Sequence, residues 1–142
     1  AQRWREAGTP MTSGFQSPVE QECLRVLLRG AGPIVVCLAR NLPTRVRPEL
    51  REAVEAGRLA LVTPFMDGRR RPDARTTAYR NRVVAALAER VVVIHASPGG
   101  MVERLCREVL TWGVPVLALD HPANEHLKAL GVQLVDPARL GG

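Results

Sequence analysis

The stretch RVVVIHASPGGMVERLCREVLTWGVPVLALD, residues 90–120, decides the fold of this 142-residue chain. It begins with a short apolar run and passes through the Gly99-Gly100 turn into residues 102–112, whose apolar side chains recur at helical spacing. A second apolar run, residues 114–120, closes it. Strands that are apolar along their length are typical of parallel sheets covered by helices on both faces. The stretch therefore predicts a strand–helix–strand unit with parallel strands.

The same alternation extends over most of the chain. A capping box of Ser17, Pro18 and Glu20 predicts the start of the first clear helix, which ends before Gly30. Apolar runs predict five strands, the last a candidate edge strand, at residues 33–38, 59–63, 90–95, 114–120 and 132–135. Further helices are predicted at residues 48–56, 76–89, 102–112 and 122–130. This order predicts an α/β fold, a Rossmann-like three-layer α-β-α sandwich with a mostly parallel sheet.

The domain organisation follows from the length, which corresponds to one ordinary domain over residues 1–142. Residues 1–13 are weakly patterned, and we expect either a loose N-terminal arm or a short helix followed by a loop. Trp112 continues the apolar stripe of its helix, which favours a place in the core over base stacking.

The chain is strongly basic, and almost all of its positive charge is arginine. Its formal net charge is +6, and Lys128 is the only lysine among its 20 basic residues. Arginine keeps its charge at any relevant pH and presents a planar fork of donors to phosphate. A basic domain of this kind is a candidate for binding nucleic acid or nucleotides, and the alternative is a solvated basic surface.

The cysteines and the apolar runs indicate the compartment. Cys23, Cys37 and Cys106 have no C-x-x-C spacing, and each lies in an apolar periodic segment. We interpret them as buried small hydrophobes in a reducing cytoplasm, and we expect no disulfide, metal or cofactor. No apolar run approaches the roughly 18 residues of a membrane span, and residues 1–8 lack a signal-peptide core. A cytoplasmic protein without a membrane partner is predicted.

Ligands of open parallel sheets bind beyond the carboxyl ends of the strands. The loops at that edge are predicted at residues 39–47, 64–75, 95–100 and 120–122. The Gly99-Gly100 turn follows a buried strand and opens a helix, so its amides are candidates for phosphate contact. The alternative is a turn that merely needs glycine, because the sequence here matches neither G-x-G-x-x-G nor a P-loop.

Arg80-Asn81-Arg82 lies in the first half of the helix predicted at residues 76–89. Three successive residues span much of a helix circumference, so they cannot all face one ligand. We expect one arginine to face the ligand and the other to pair or lie on the surface, with a solvated face as the alternative. The positions expected to face inward are Val83, Val84, Ala86 and Leu87.

Residues 79–94, YRNRVVAALAERVVVI, resemble a signature of the DNA-processing protein A family (DprA, also called Smf): R-N-R, two hydrophobic residues, two further residues and leucine, before a strand. The segment from Pro98 to Val116 resembles that family's small-residue turn, helix and following strand. Ser13-Gly14-Phe15 resembles its glycine-containing lead into the first long helix. The similarity covers about residues 13–135 and is sharpest over residues 79–115.

The resemblance implies an extended Rossmann fold of the SLOG superfamily and a basic pocket that binds single-stranded DNA. It also implies a non-enzymatic role in DNA recombination during natural transformation, with a recombinase partner and a homodimer. The residues that it assigns to the pocket are Arg80, Asn81, Arg82, Gly99, Gly100, Arg40 and Arg45.

The chain departs from the family pattern at both ends. No strand ending in the family's Gly-Ser-Arg turn is visible before Ser13, and no room for a C-terminal winged helix is left before residue 142. We therefore expect a reduced form of the domain.

A second resemblance, carried by Pro98-Gly99-Gly100, is to the related cytokinin-activating phosphoribohydrolases and their P-G-G-x-G-T-x-x-E motif. The second Gly-Thr is missing here, Glu103 comes too early and Glu108 too late. The leading hypothesis is a module that binds single-stranded DNA, and the alternative is a nucleotide-binding protein or phosphoribohydrolase-like enzyme of the same superfamily. A third hypothesis is a structural remnant that pairs with another protein.

Overall fold

The computed structural model describes residues 1–66, 68 and 70–140, so Asp67 and Arg69 of the predicted 64–75 loop lie outside the described residues. The chain forms two compact units, Ala1–Val84 and Ala85–Leu140, each with its own apolar core. The single domain predicted over residues 1–142 stays a prediction.

The first unit is built on a three-stranded parallel sheet. Its elements, in chain order, are α1 (Gln2–Ala7), β1 (Met11–Ser13), α2 (Pro18–Leu28), β2 (Ile34–Cys37), α3 (Pro48–Glu55), β3 (Leu59–Val62) and α4 (Ala74–Ala86). The strands lie in the order β1-β2-β3. Met11 pairs with Ile34, and Ile34 pairs with Leu59. Since all three strands run in the same direction, their carboxyl ends meet at one edge.

The predicted capping box fixes the start of α2. The Ser17 hydroxyl accepts from the Glu20 N–H at 3.3 Å, and the Glu20 carboxylate accepts from the Ser17 N–H at 3.0 Å. From this start the apolar stripe of α2 buries Leu24 and Leu27 in the core. Each such side chain stabilises the fold by about 1.5–3 kcal/mol.

Residues 1–13 contain the short helix of the second expectation and, in place of the expected loop, a strand. They form α1 and β1, and β1 pairs with β2 from Met11 to Ser13. The first strand that the sequence did not reveal before Ser13 is therefore present. Its three residues, Met11, Thr12 and Ser13, are only half-buried. The strand is too short and too polar to be recognised in the sequence as an apolar run. Pairing with β2, rather than local propensity, makes this segment a strand.

The second unit repeats the same plan. Its elements are β4 (Val91–Val93), α5 (Met101–Thr111), β5 (Val116–Leu119), a 3₁₀-helix (Pro122–Leu130), β6 (Gln133–Val135) and a short 3₁₀-helix (Pro137–Arg139). The strands lie parallel in the order β4-β5-β6. The predicted Rossmann-like α/β fold with parallel strands is confirmed. The strands form two sheets of three, where one sheet was expected.

Helix α4 begins and ends earlier than predicted. Asp73 caps it, because its Oδ1 accepts from the Thr76 N–H at 2.8 Å. The helix ends at Ala86, so Leu87 lies beyond it and is 64% exposed. Ala86 is exposed as well. Two of the four positions expected to face inward, Ala86 and Leu87, are therefore wrong. The apolar pattern of this segment is weak, and the polar residues Thr76 and Arg80 are buried instead.

Trp112 is not a core residue, contrary to expectation. It is the C-cap of α5, and 40% of its surface is exposed. The helix stripe buries Cys106 and Val109, but the chain leaves the helix before that stripe reaches Trp112.

The longest helix among the described residues is α4, with 13 residues. A helix needs about 20 apolar residues to cross a bilayer, so no described helix is a candidate span. A cytoplasmic location stays a prediction.

Candidate functional site

Arg80 is buried where the first two strands of the first unit end. Only 2% of its surface is exposed, and it shares a face of α4 with Thr76, four residues earlier. Its Nη1 donates to the carbonyl oxygen of Cys37, the last residue of β2, at 2.9 Å. Its Nη2 donates to Gln16 Oε1 at 2.9 Å, and its Nε donates to Asn81 Oδ1 at 2.8 Å. We call Gly14, Gln16, Cys37, Arg80 and Asn81 the Arg80 cluster.

Gly14 makes room for the guanidinium. It follows β1 directly and is buried. A Cβ atom at this position would overlap the Arg80 guanidinium. Its φ is not positive, so glycine is needed here for space and not for backbone conformation. The absence of a side chain at Gly14 therefore allows the Arg80 guanidinium to lie at the end of the sheet.

The turn after β1 is strained at its next residue. Phe15 is the one non-glycine residue with positive φ among those described, at 49°, and it is buried in the core. A bulky residue in the left-handed region costs about 1–3 kcal/mol and persists only where its surroundings impose it. The turn carries the exposed Gln16 to the Arg80 guanidinium. The strain is thus located at the residue that precedes Gln16, one of the acceptors of the Arg80 guanidinium.

Glu20 lies near Arg80 but does not pair with it. Its carboxylate accepts from Ser13 Oγ at 2.6 Å and from the Ser17 N–H at 3.0 Å. Burial raises the pKa of the Glu20 carboxyl, but these hydrogen bonds and the nearby Arg80 outweigh it, and its pKa lies below the usual value. The carboxylate oxygens are thus committed to α2 and to the end of β1.

Within the described part of the chain, the Arg80 guanidinium contacts only neutral acceptors. Its three partners are an amide oxygen of Gln16, an amide oxygen of Asn81 and a backbone carbonyl. Among the residues that the structure describes, none places a carboxylate at ion-pairing distance from it. Burial lowers the pKa of Arg80, opposed by the charge of Glu20 and by Cys37. Arginine nevertheless stays protonated in proteins, so this buried positive charge has no contacting counter-ion among residues 1–66, 68 and 70–140.

The other predicted residues of the first unit lie on α4 and in the loop after β2. Asn81 belongs to the Arg80 cluster, and Arg82 is exposed on α4. Arg40 is half-buried in the loop after β2, where its carbonyl oxygen accepts from Thr63 Oγ1 at 2.6 Å. Arg45 is exposed farther along that loop, in an open groove that Arg51 also lines. The structure thus joins Arg80 and Asn81 in one cluster, and the three hydrogen bonds of Arg80 in that cluster do not involve Arg45.

The Gly99-Gly100 turn lies in the second unit, and its amides already have acceptors. The Gly99 N–H donates to Glu103 Oε2 at 2.7 Å, and the Gly100 N–H donates to the Ser97 carbonyl at 2.9 Å. Gly99 has a φ of 69°, which favours glycine. The hydrogen bond from Gly99 is the main reason that the pKa of Glu103 is lowered, with Arg107 contributing. An anion at this turn would compete with the carboxylate of Glu103.

Sequence reasoning missed Asn124, which holds the strand ends of the second unit. It is fully buried. Its Nδ2 donates to the carbonyl oxygens of Ile94 and Leu119, both at 3.0 Å, and its Oδ1 accepts from the Ala96 N–H at 3.1 Å. The available signal was a polar residue three positions before Leu127, at the spacing of an inward-facing stripe. Sequence reasoning likewise missed the roles of Gly14 and Gln16 beside Arg80.

Two of the three cysteines are buried, as expected for packing residues. Cys37 and Cys106 are buried, Cys23 is half-buried, and all three are free. Burial raises the pKa of the Cys106 thiol to about 11, so this thiol is protonated at neutral pH. Within the described part of the chain, no group of three metal-ligating side chains comes together.

Comparison with known proteins identifies a structural relative. No family's sequence profile matches the chain, and no curated protein matches it in sequence. The X-ray structure of DNA processing protein A (DprA) from Streptococcus pneumoniae superposes on it with a TM-score of 0.72 over 94% of this chain, at 16% sequence identity. The chain spans about half of that protein's length, since the match covers 52% of it. At this identity the match shows a shared Rossmann-like fold.

Proposed function

We propose that this protein binds single-stranded DNA, with Arg80 contacting a backbone phosphate at the strand ends of the first unit. The observation that carries the proposal is the buried Arg80 guanidinium, whose contacting acceptors among the described residues are all neutral. Isolating a charge from water without a partner is costly. An anionic ligand at this position supplies the missing counter-charge.

A phosphate reaches Arg80 by displacing the Gln16 side chain. It is exposed, and it accepts from Arg80 Nη2 on the outer side of the cluster. A phosphate oxygen is a stronger acceptor for a guanidinium than a neutral amide. A phosphate therefore replaces Gln16 Oε1, while Cys37 and Asn81 keep the guanidinium in place. The phosphate carries its charge into a setting of low dielectric, where the attraction is strong.

Further phosphate contacts fall to the exposed arginines Arg82 and Arg45 and to the half-buried Arg40. Gly99 and Gly100 are proposed as weaker contacts, because Glu103 already accepts from the Gly99 amide. The fold shared with DprA supports DNA as the ligand. A recombinase partner, a homodimer and a role in natural transformation stay predictions that accompany this proposal.

The test closes the site with one added charge. In Gln16→Glu, a carboxylate takes the place of the amide that accepts from Arg80, so it forms an ion pair there and repels phosphate. We expect the affinity for a fluorescein-labelled oligothymidylate to fall by more than about tenfold, a loss of roughly 1.4 kcal/mol. The slope of log K against log salt decreases by about 0.7 when one phosphate contact is lost from single-stranded DNA.

The matched control is Gln133→Glu, which makes the same charge change at an exposed position of β6. We expect its affinity to stay within about twofold of the wild type after correction for net charge. Equal losses of affinity in the two variants would show that the change in net charge causes the loss. Unchanged binding by Gln16→Glu would show that Arg80 does not contact the DNA. A wild-type protein that binds no oligonucleotide at low salt would overturn the proposal. Competition by a nucleoside monophosphate alone would favour the nucleotide-binding alternative.

A further inference from the structure

One exposed face of α4 carries an aromatic ring between two arginines. Arg75, Tyr79 and Arg82 are all exposed, and they are spaced by four and three residues along the helix. Residues at this spacing lie on the same side of an α-helix, about 5–6 Å apart from one to the next. Thr76 and Arg80, on the adjoining face, are buried. Tyr79 is 50% exposed although the chain is poor in aromatic residues.

The Tyr79 ring is held in place from one side. It packs against Phe65, with ring centroids 5.7 Å apart and planes inclined by 57°. A tilted pair of this kind contributes about 0.5–1.5 kcal/mol beyond its buried area. Because Phe65 follows β3 closely, the contact ties the exposed ring to the strand ends. Tyr79 therefore presents an oriented aromatic surface to solvent, whereas a freely rotating side chain would not.

The stretch of sequence that leads to this ring is strongly positive. Residues 66–82 contain six arginines and two aspartates, a formal charge of +4 out of +6 for the whole chain. Arg70, Arg71 and Arg75 are exposed in this segment. The Oδ1 of Asp73 accepts from the N-terminal turn of α4. An aromatic ring within such a charge distribution suits a ligand that combines anionic groups with flat rings.

We infer that Tyr79 is a stacking platform for an unpaired base, flanked by phosphate contacts from Arg75 and Arg82. The inference rests on the proposed function and adds that the protein reads the bases of the strand as well as its backbone. Base–aromatic stacking tolerates any sequence because every base has a flat face. Bases in a duplex already stack on each other, so the platform selects single-stranded over double-stranded DNA.

The experiment separates bases from backbone. Binding is measured with an oligothymidylate and with an oligonucleotide of the same length and backbone that lacks bases. The wild type is expected to bind the abasic strand about five- to 150-fold more weakly, the range for the loss of one stacked base. In Tyr79→Ala the two strands are expected to bind with equal affinity, so that the base-to-abasic ratio of affinities falls to about one. Tyr79→Phe is expected to keep the wild-type ratio. Tyr79→Leu, which keeps an apolar contact for Phe65 without an aromatic face, is expected to behave like Tyr79→Ala.

A second readout tests the contact directly. Irradiation of the complex with an oligonucleotide containing 5-iodouracil is expected to cross-link the base to Tyr79, as located by mass spectrometry of the peptides. Cross-links confined to other residues, or an unchanged base-to-abasic ratio in Tyr79→Ala, would overturn the inference. If the wild type binds both strands equally and with a steep salt dependence, phosphate binding holds and the stacking platform is wrong. If it binds neither strand, the proposed function itself fails.

Discussion

The strand ends of the two units solve one problem with different chemistry. Where parallel strands stop, backbone groups beyond the last ladder hydrogen bond need partners. In the first unit Arg80 supplies one, at the carbonyl of Cys37, and binds two side-chain amides besides. In the second unit Asn124 supplies three, to Ile94, Ala96 and Leu119. Both side chains are buried, but only one carries a charge.

The difference separates support from function. A neutral amide with one acceptor and two donors matches its three backbone partners and leaves no charge uncompensated. A guanidinium is a costly way to satisfy one carbonyl, because its desolvation opposes folding. Asn124 therefore acts as a structural tie, whereas the charge of Arg80 needs an explanation outside the stability of the unit. Mutations at the two positions are expected to separate these roles.

The largest effect is expected at Asn124. In Asn124→Ala, two carbonyls and one N–H lose their partner inside the protein, and the free energy of unfolding is expected to fall by about 3–5 kcal/mol. Urea denaturation followed by circular dichroism measures it. Asn41→Ala is the matched control, because the Oδ1 atom of Asn41 is buried without a partner among the described residues; its loss is expected below about 1 kcal/mol. Similar losses in both variants would show that Asn124 is no special tie.

A smaller loss is expected when the buried charge is removed. Arg80→Met keeps much of the side-chain volume, leaves one carbonyl without its partner and removes the desolvation of the guanidinium. We expect a loss of about 1–2 kcal/mol, together with loss of oligonucleotide binding. Arg75→Met, at an exposed position of the same helix, is the stability control and is expected to stay within about 0.5 kcal/mol of the wild type. A loss at Arg80 as large as that at Asn124 would contradict the distinction.

Gly14 provides a cross-check of the same packing. Gly14→Ala pushes a methyl group into the guanidinium and is expected to cost about 1–3 kcal/mol. In an Arg80→Ala background that cost is expected to disappear, and a double-mutant cycle measures the coupling. Additive losses would place the cause of the Gly14 requirement elsewhere.

The smallest effect concerns pH. The pKa of Glu20 in the folded protein lies below its ordinary value of 4.5, so its charge stabilises the fold above that pH. This contribution is lost as the pH falls through the folded-state pKa. Glu20→Gln is expected to cost about 0.5–1 kcal/mol at pH 7 and progressively less below pH 4.5. Urea unfolding across this range tests the sign, and a difference that grows on acidification would contradict it.

The sequence predicted the parts of the fold that depend on local pattern. Two apolar runs correctly predicted β2 and β5, and the Ser17–Glu20 capping box correctly predicted the start of α2. Each of these signals is a local pattern several residues long. β1 gave no such signal, since its three residues become a strand only through pairing with β2. Leu87 and Trp112 were misplaced because the helix ends, and not the apolar character of the side chains, decide their exposure.

The residues of the candidate site divide in the same way. The sequence by itself determined that Arg80 and Asn81 belong to a helix between two strands, because residue type and spacing are local properties. Only the tertiary structure decided that Arg80 is buried, that Gly14 makes room for it and that Gln16 covers its outer side. Gln16 and Arg80 are 64 residues apart, and no periodic pattern links positions at that distance. A buried guanidinium whose contacting acceptors in the described part of the chain are all neutral exists only once the chain has folded around it, so its significance follows from burial and contact.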